Sequence, residues 1–131
     1  KRQVFDSVKK LDENSVLHHK TGGTHVVGIL AASEQIFVED ISRHCAIDKA
    51  IGLAFKNGIA LSQSALVTSC RQTLSTIRKV IYAQIPIVIS ISAATDLAIE
   101  NAVLYGITLI GFARERQFKI YCHDCRILPL G

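Results

Sequence analysis

The amino-acid sequence predicts an α/β protein of three layers, an α/β/α sandwich in which helices cover both faces of a mixed sheet. The main observation is that short apolar runs alternate with amphipathic segments after residue 60, in the order strand, helix, strand, helix, strand. These runs lack polar alternation, which is typical of parallel strands buried on both faces. The chain has 131 residues, 49% of them hydrophobic and 20% charged, which is enough for one packed core. We therefore expect a single domain over residues 1–131.

Periodicity and residue type predict the elements of the first half of the chain. They are an amphipathic helix within 4–17 that ends near 12–14, a strand at 25–31, a turn at 32–34, a strand at 35–38 and a helix at 42–57. The strands are rich in β-branched residues, and Asn57-Gly58 is a typical helix end. The approach to Thr21 is expected to be irregular.

The second half has the clearer alternation. Its predicted elements are a strand at 65–68, a helix at 72–83, a strand at 87–91, a helix at 94–105, a strand at 108–111 and a last strand at 118–122. Since parallel strands need helical crossovers between them, this order favours parallel pairing.

Composition narrows the classes of function. The net charge of +4 and the pI of about 9.0 suit an anionic ligand, although a mildly basic surface without a ligand has the same composition. The sequence has no run of basic residues and only 6% aromatic residues, which argues against a nucleic-acid partner. No apolar run reaches the roughly 18 residues of a membrane span, and residues 1–14 do not resemble a signal peptide. We expect a cytoplasmic protein with reduced cysteines and no membrane partner.

Residues 39–52 contain the densest polar cluster. Its charged, His and Cys residues are Glu39, Asp40, Arg43, His44, Cys45, Asp48 and Lys49. They follow an apolar strand and lie largely on one side of a helix, an arrangement that suits a polar ligand near the helix N-terminus. Arg43 can bind phosphate and His44 can donate to it. The alternative is a salt-bridge network within the helix, because Asp48 follows Arg43 and His44 by about one turn.

Three further segments are suited to an anion. Thr21-Gly22-Gly23 can bring its backbone close to a ligand, or can be a simple tight turn, and His25 follows it at the start of a strand. Ser69-Cys70-Arg71 and the pair Ser92 and Thr95 each lie where a strand leads into a helix. We expect these junctions to open on one carboxyl edge of the sheet, where ligands bind in α/β folds.

Four blocks in order give the chain a resemblance to a known family. Residues 39–49 resemble E-D-x-G-R-H-N-A-x-D-K, and residues 21–25 resemble T-G-G-x-H. Residues 92–98 are similar to S-A-P-T-x-L-A, and residues 106–114 to G-x-T-L-x-G-F-x-R, with Tyr121 after them. These are signatures of the formate dehydrogenase accessory sulfurtransferases, the FdhD family. The resemblance covers roughly residues 15–128.

The resemblance implies a cytidine-deaminase-like fold and a function. A family member accepts sulfur as a persulfide from a cysteine desulfurase and passes it to the molybdenum or tungsten bis(guanine dinucleotide) cofactor for formate dehydrogenase. It also implies a homodimer and a guanine-binding segment over Phe112, Ala113, Arg114, Glu115, Arg116 and Gln117. The expected cofactor-binding residues are these six and Thr21, Gly22, Gly23, His25, Asp40, Arg43, His44, Asp48, Ser69, Arg71, Ser92 and Thr95.

The chain also departs from the family pattern. Ser42, Cys45, Cys70 and Ala94 replace Gly, Asn, Gly and Pro. Val27 stands where a zinc deaminase has its catalytic Glu, and no P-C-x-x-C follows the strand at 65–68, so we expect neither zinc nor deamination.

The sulfur-carrying cysteine is a separate question. The family carries its persulfide on a C-G-x-C-like loop upstream of the matched region, which this chain is expected to lack. Cys122 and Cys125 form a C-x-x-C, for which a reactive or metal-binding role is the weaker hypothesis. The alternative function is therefore a non-catalytic protein that binds a guanine nucleotide or the molybdenum cofactor.

Overall fold

The computed structural model of the protein describes residues 1–127. In this part of the chain five α-helices accompany one six-stranded sheet. The helices are α1 (Arg2–Glu13), α2 (Val16–Thr21), α3 (Arg43–Lys56), α4 (Leu74–Tyr82) and α5 (Asp96–Leu104). The strands are β1 (His25–Leu30), β2 (Gln35–Asp40), β3 (Ala65–Thr68), β4 (Ile87–Ser90), β5 (Thr108–Arg114) and β6 (Gln117–Cys122). Residues 128–131 of the expected domain lie outside the described part.

The sheet is mixed, with the strand order β2-β1-β3-β4-β5-β6. Strands β3, β4 and β5 are parallel, as predicted, whereas β1 is antiparallel to both β2 and β3. His25 therefore faces Asp40 across the hairpin, while Val27 faces Thr68. As a result the start of β1 and the end of β2 lie at the sheet edge where β3, β4 and β5 end. We call this the carboxyl edge.

Buried apolar clusters lie on both faces of the sheet. On one face α3, α4 and α5 pack over Ile29, Leu66 and Leu109, all of which are fully buried. On the other face Leu11 of α1 packs with a cluster that includes Val67. Burying a Leu or Ile side chain contributes roughly 1.5–3 kcal/mol, so these clusters hold the layers rigidly beneath the carboxyl edge.

Two sequence predictions need correction. The stretch before Thr21 is the short helix α2 and not irregular chain, with Gly22 closing it in the left-handed region at φ +67°. Strand β5 continues to Arg114 and β6 begins at Gln117. Residues 112–117, which separate the two predicted strands, therefore form the end of a β-hairpin. Within residues 1–127 no helix combines the length and the apolar character needed to cross a bilayer.

Candidate anion site at the carboxyl edge

Hydroxyl groups connect the strand ends at the carboxyl edge. Ser69 Oγ accepts a hydrogen bond of 3.0 Å from the Val26 N–H, and Ser92 Oγ donates one of 3.0 Å to the Ser69 carbonyl. Thr95 caps α5 by accepting from the Ala98 N–H at 3.3 Å. Ser69, Ser92 and Thr95 therefore hold the junctions of β1, β3 and β4 together, and their hydroxyls are largely engaged.

Asp40 and Ser42 shape the turn that leads into α3. Asp40 accepts from the Ser42 N–H at 3.0 Å and from Lys49 Nζ at 3.0 Å. The Ser42 hydrogen bond, and after it the Lys49 hydrogen bond, lower the pKa of Asp40. Ser42 is the N-cap of α3 and accepts from the Cys45 N–H at 3.4 Å. Asp40 thus orients the turn that places Arg43 and His44 in the first turn of α3.

Glu39, which belongs to the polar cluster of the sequence but not to the expected binding residues, anchors the Gly-Gly segment. Its carboxylate accepts from the Leu17 and His18 N–H groups, both at 2.8 Å, and from Thr24 Oγ1 at 3.0 Å. Burial acts to raise the pKa of Glu39, but these hydrogen bonds outweigh it and hold the pKa below its ordinary value. The carboxylate caps the N-terminus of α2, where its charge is favoured by the helix dipole.

The Thr21-Gly22-Gly23 segment is a helix end. Thr21 Oγ1 donates to the Leu17 carbonyl at 2.8 Å and accepts from the Gly23 N–H at 3.1 Å. The segment therefore satisfies its own backbone in the manner of a tight turn, one of the two interpretations open from the sequence. All three residues are exposed, and they lie directly before His25.

Three elements bring polar side chains to the neighbourhood of His25. Burial is the main cause that lowers the pKa of this half-buried imidazole, and the charges of Arg43, His18 and Arg71 lower it further. The backbone places these residues at the same edge: His18 Nδ1 lies 2.7 Å from the Thr24 carbonyl oxygen, Ser69 is hydrogen-bonded to Val26, and His25 faces Asp40, three residues before Arg43. We call the guanidinium groups of Arg43 and Arg71 at this edge the cationic cluster. The Nε of Arg43 is buried and has no hydrogen-bond partner within the described residues. A buried guanidinium donor that folding leaves unpaired is well suited to an anionic ligand.

Cys70 lies fully buried beside this cluster. Burial raises the pKa of its thiol, whereas the Arg43 charge acts in the opposite direction. Cys70 is therefore a neutral thiol within the apolar core below the site.

Asp48 does not pair with Arg43 or His44, contrary to the alternative that the sequence allowed. Lys79 of α4 donates to both of its carboxylate oxygens, at 2.7 and 2.8 Å. Asp48 therefore links α3 to α4, one turn beyond the cationic cluster. Its expected role in binding a ligand stays a prediction.

The β5–β6 hairpin brings an aromatic ring to the carboxyl edge. Phe112 has a left-handed φ of +51°, rare for a bulky residue, and its ring is exposed. Its N–H donates to the Ser92 carbonyl at 3.1 Å, which ties it to the β4–α5 junction. Its neighbour Ala113 is fully buried, so the irregular register turns Phe112 outward.

Two clefts border the expected guanine-binding segment, whose role in binding stays a prediction. Arg114 and Glu115 line a cleft of about 460 Å³ that His18 and Ser69 also border. Arg116 and Gln117 line a different groove, beside Phe5. The hairpin thus separates two pairs of residues that the sequence placed in one segment.

Cys122 and Cys125 are remote from this site. Cys122 pairs with Leu109 near the start of β5, which is the edge opposite the carboxyl edge. Its thiol donates to the Ile107 carbonyl at 3.2 Å, and burial raises its pKa. Cys125 is exposed in the 3₁₀ turn Asp124–Arg126. No group of three or more His, Cys, Asp or Glu residues in the described part of the chain could hold a metal ion.

The fold and the site define a mixed α/β domain with a cationic cluster at the carboxyl edge. The family model of the FdhD/NarQ family matches residues 1–128, so the chain belongs to that family. Similar proteins include the "Sulfur carrier protein FdhD" of Methanothermobacter thermautotrophicus, 36% identical over 125 residues, and that of Bordetella parapertussis, 38% identical over 126 residues. Each alignment covers 95% of this chain, but 50% and 46% of the two relatives, so the chain spans about half their length.

A solved structure agrees with this assignment. The crystal structure of a putative formate dehydrogenase accessory protein from Desulfotalea psychrophila superposes with a TM-score of 0.88 at 27% identity. The match covers 95% of this chain and 57% of that chain.

Proposed function

We propose that this domain binds the guanine dinucleotide part of a molybdenum or tungsten cofactor that the whole protein carries as cargo. The observation that carries the proposal is the buried, unpaired Nε of Arg43 at the carboxyl edge, where the start of β1 and the Ser69-Cys70-Arg71 junction also lie. Diphosphate groups are strongly anionic and accept hydrogen bonds from guanidinium groups. The exposed ring of Phe112 at the same edge offers a face on which a base can stack.

The whole protein, in this proposal, delivers sulfur for formate dehydrogenase maturation, as the names of its relatives suggest. A cysteine desulfurase supplies the sulfur as a persulfide: a thiolate of the whole protein attacks the terminal sulfur, the S–S bond of the desulfurase persulfide breaks, and the desulfurase thiolate leaves. We assign binding and orientation of the cargo to this domain. The buried Cys70 and the remote Cys122 have raised pKa values, which do not favour a nucleophile.

A second candidate function is a cofactor or nucleotide chaperone without sulfur transfer. The same cationic cluster supports it, because anion binding by guanidinium groups needs no sulfur-carrying thiol. The exposed Cys45, two residues after Arg43 in α3, is the thiol at this end of the helix. Sulfur transfer from a desulfurase to the purified full-length protein, followed by mass spectrometry, separates the two functions. We also propose a homodimer, for which sedimentation equilibrium is the test.

The test of the binding proposal is calorimetry with GDP. We expect the parent protein to bind and Arg43→Ala together with Arg71→Ala to lose at least tenfold in affinity. Lys56→Ala is the control for a general effect of charge, because this substitution removes a cation at the opposite end of α3. No binding by the parent, or equal losses in the control, would contradict the proposal.

A further inference from the structure

Gln72 stands out as a fully buried polar residue next to the site, and sequence reasoning did not select it. Its backbone N–H donates to the Ala93 carbonyl at 3.0 Å, and its carbonyl accepts from the Thr95 N–H at 2.9 Å. These bonds form an isolated parallel bridge between Gln72 and Ala94. The segment after β3 is thereby fastened to the segment after β4, beyond the ends of both strands.

The side chain of Gln72 restrains the residue two positions before it. Its Nε2 donates to the Cys70 carbonyl at 3.1 Å, and Ser90 Oγ donates to the same oxygen at 2.8 Å. Cys70 and Gln72 are both fully buried, whereas Arg71 between them is exposed. The backbone on each side of Arg71 is therefore fixed, and the two hydrogen bonds between Ser69 and Val26 place this segment beside the start of β1, where His25 lies.

The amide at position 72 is not explained by stability alone. Its Oε1 is buried without a hydrogen-bond partner among the described residues, and an unpaired buried acceptor destabilises a fold. A methionine has a similar shape and carries no such group. Only the NH₂ group of the amide is hydrogen-bonded, and its partner is the Cys70 carbonyl.

We propose that Gln72 is a positioning residue that holds Arg71 in the geometry required for binding an anion. The inference rests on the proposed function, since Arg71 is one of the residues assigned there to the diphosphate. Gln72 itself, being fully buried, acts through the Cys70 carbonyl and does not contact the ligand.

The test is a double-mutant cycle with GDP as the probe. We expect Gln72→Met to weaken GDP binding about fivefold in the parent background and by less than twofold when Arg71→Ala is already present. Thermal unfolding of each variant establishes that it is folded. Gln63→Met, at an exposed residue, is the control and should leave the affinity unchanged.

Ser90→Ala provides a second route if Gln72→Met does not fold, because it removes the other donor to the same carbonyl. Its loss of affinity should likewise disappear in the Arg71→Ala background. Parent-like affinity in Gln72→Met, or an equal loss with and without Arg71, would overturn the positioning role while leaving the proposed function intact. If the parent itself binds no GDP, the proposed function fails and this inference fails with it.

Discussion

At the residue scale, His25 reports on the charges around it. Its pKa is lowered first by burial and then by electrostatic interactions with Arg43, His18 and Arg71. A neutral imidazole can donate one hydrogen bond and accept another, and a bound anion would favour its protonated form. The ionisation of His25 should therefore respond both to changes in these neighbours and to ligands.

We predict that Arg43→Ala raises the pKa of His25, because it removes the charge that lowers this pKa most after burial. NMR titration of the imidazole nitrogens measures the effect directly. Lys56→Ala, at the other end of α3, should leave the titration unchanged. An unaltered His25 pKa in Arg43→Ala would show that the guanidinium is not near the ring.

Residue chemistry also explains which site residues could be predicted from sequence. Arg43, Arg71 and His25 lie in short motifs next to strand ends, where polar residues interrupt an apolar pattern. Glu39 and Gln72 act through hydrogen bonds to distant backbone groups, at 2.8 Å to Leu17 and 3.1 Å to the Cys70 carbonyl. Such bonds leave no periodic signal, so their roles become visible only in three dimensions.

At the scale of elements, the short helix α2 depends on a residue from another strand. Its six residues are too few to form a stable helix alone, and its N-cap Ser15 makes no side-chain capping bond. The Glu39 carboxylate supplies that cap from β2. This tertiary cap explains why the pattern of residues 16–21 did not predict a helix.

We predict that Glu39→Ala lowers the free energy of unfolding by about 1–2 kcal/mol through loss of the cap and its charge. Hydrogen exchange at the Leu17 and His18 amides should accelerate, since both donate to Glu39. Glu34→Ala in the exposed hairpin turn is the control. Unchanged exchange at both amides would contradict the capping role.

The bulge that exposes Phe112 depends on the absence of a side chain at Gly111. A Cβ at this position would lie 2.5 Å from Tyr121 Cε2 and 3.1 Å from the Ser92 carbonyl oxygen. The Tyr121 ring therefore occupies the space beside Gly111, and the chain can turn Phe112 toward the carboxyl edge.

We predict that Gly111→Ala destabilises the fold by about 1–3 kcal/mol, as overpacking does. The cost should be smaller in a Tyr121→Leu background, where the nearest atom is removed. Gly52→Ala is the contrasting control: it lies within α3 with open space around it, and should stabilise by about 0.5–1 kcal/mol. Urea denaturation measures the parent, the three single variants and the Gly111→Ala, Tyr121→Leu double variant. Equal costs of Gly111→Ala in both Tyr121 backgrounds would refute the packing argument.

At the scale of the whole molecule, the order of elements was predictable because each apolar run is short and bounded. The parallel arrangement of β3, β4 and β5 follows from the helices between them. The continuation of β5 to Arg114 was not predictable, because Phe112, Glu115 and Arg116 adopt positive φ values that these residue types do not signal. The same holds for the candidate site. Its residues next to strand ends were predicted, whereas the geometry of the β5–β6 hairpin was not.

The stability of the folded domain should fall in two stages as the pH is lowered. The pKa of His25 lies below its ordinary value of 6.5, so the unfolded chain binds more protons below about that pH and unfolding becomes easier. The pKa values of Glu39 and Asp40 lie below 4.5 and 3.8, so their stabilising contribution is present above those values and is lost in stronger acid.

Urea denaturation between pH 8 and pH 3 measures both stages. His25→Gln should reduce the first stage and leave the second in place. Glu39→Gln should reduce the second stage and leave the first. If the first fall in stability is unchanged in His25→Gln, it arises from the titration of a group other than His25.

The hairpin of β1 and β2 has a practical consequence. Its turn, with Ala32 and Ser33 exposed, lies at the edge opposite to His25 and Asp40, the residues at the other end of the same two strands. The free energy of closing a loop grows slowly with its length, so a short peptide tag can be inserted between Ala32 and Ser33 at small cost. The protein could then be attached to a surface by this turn, with its cationic edge facing the solution and accessible to partners.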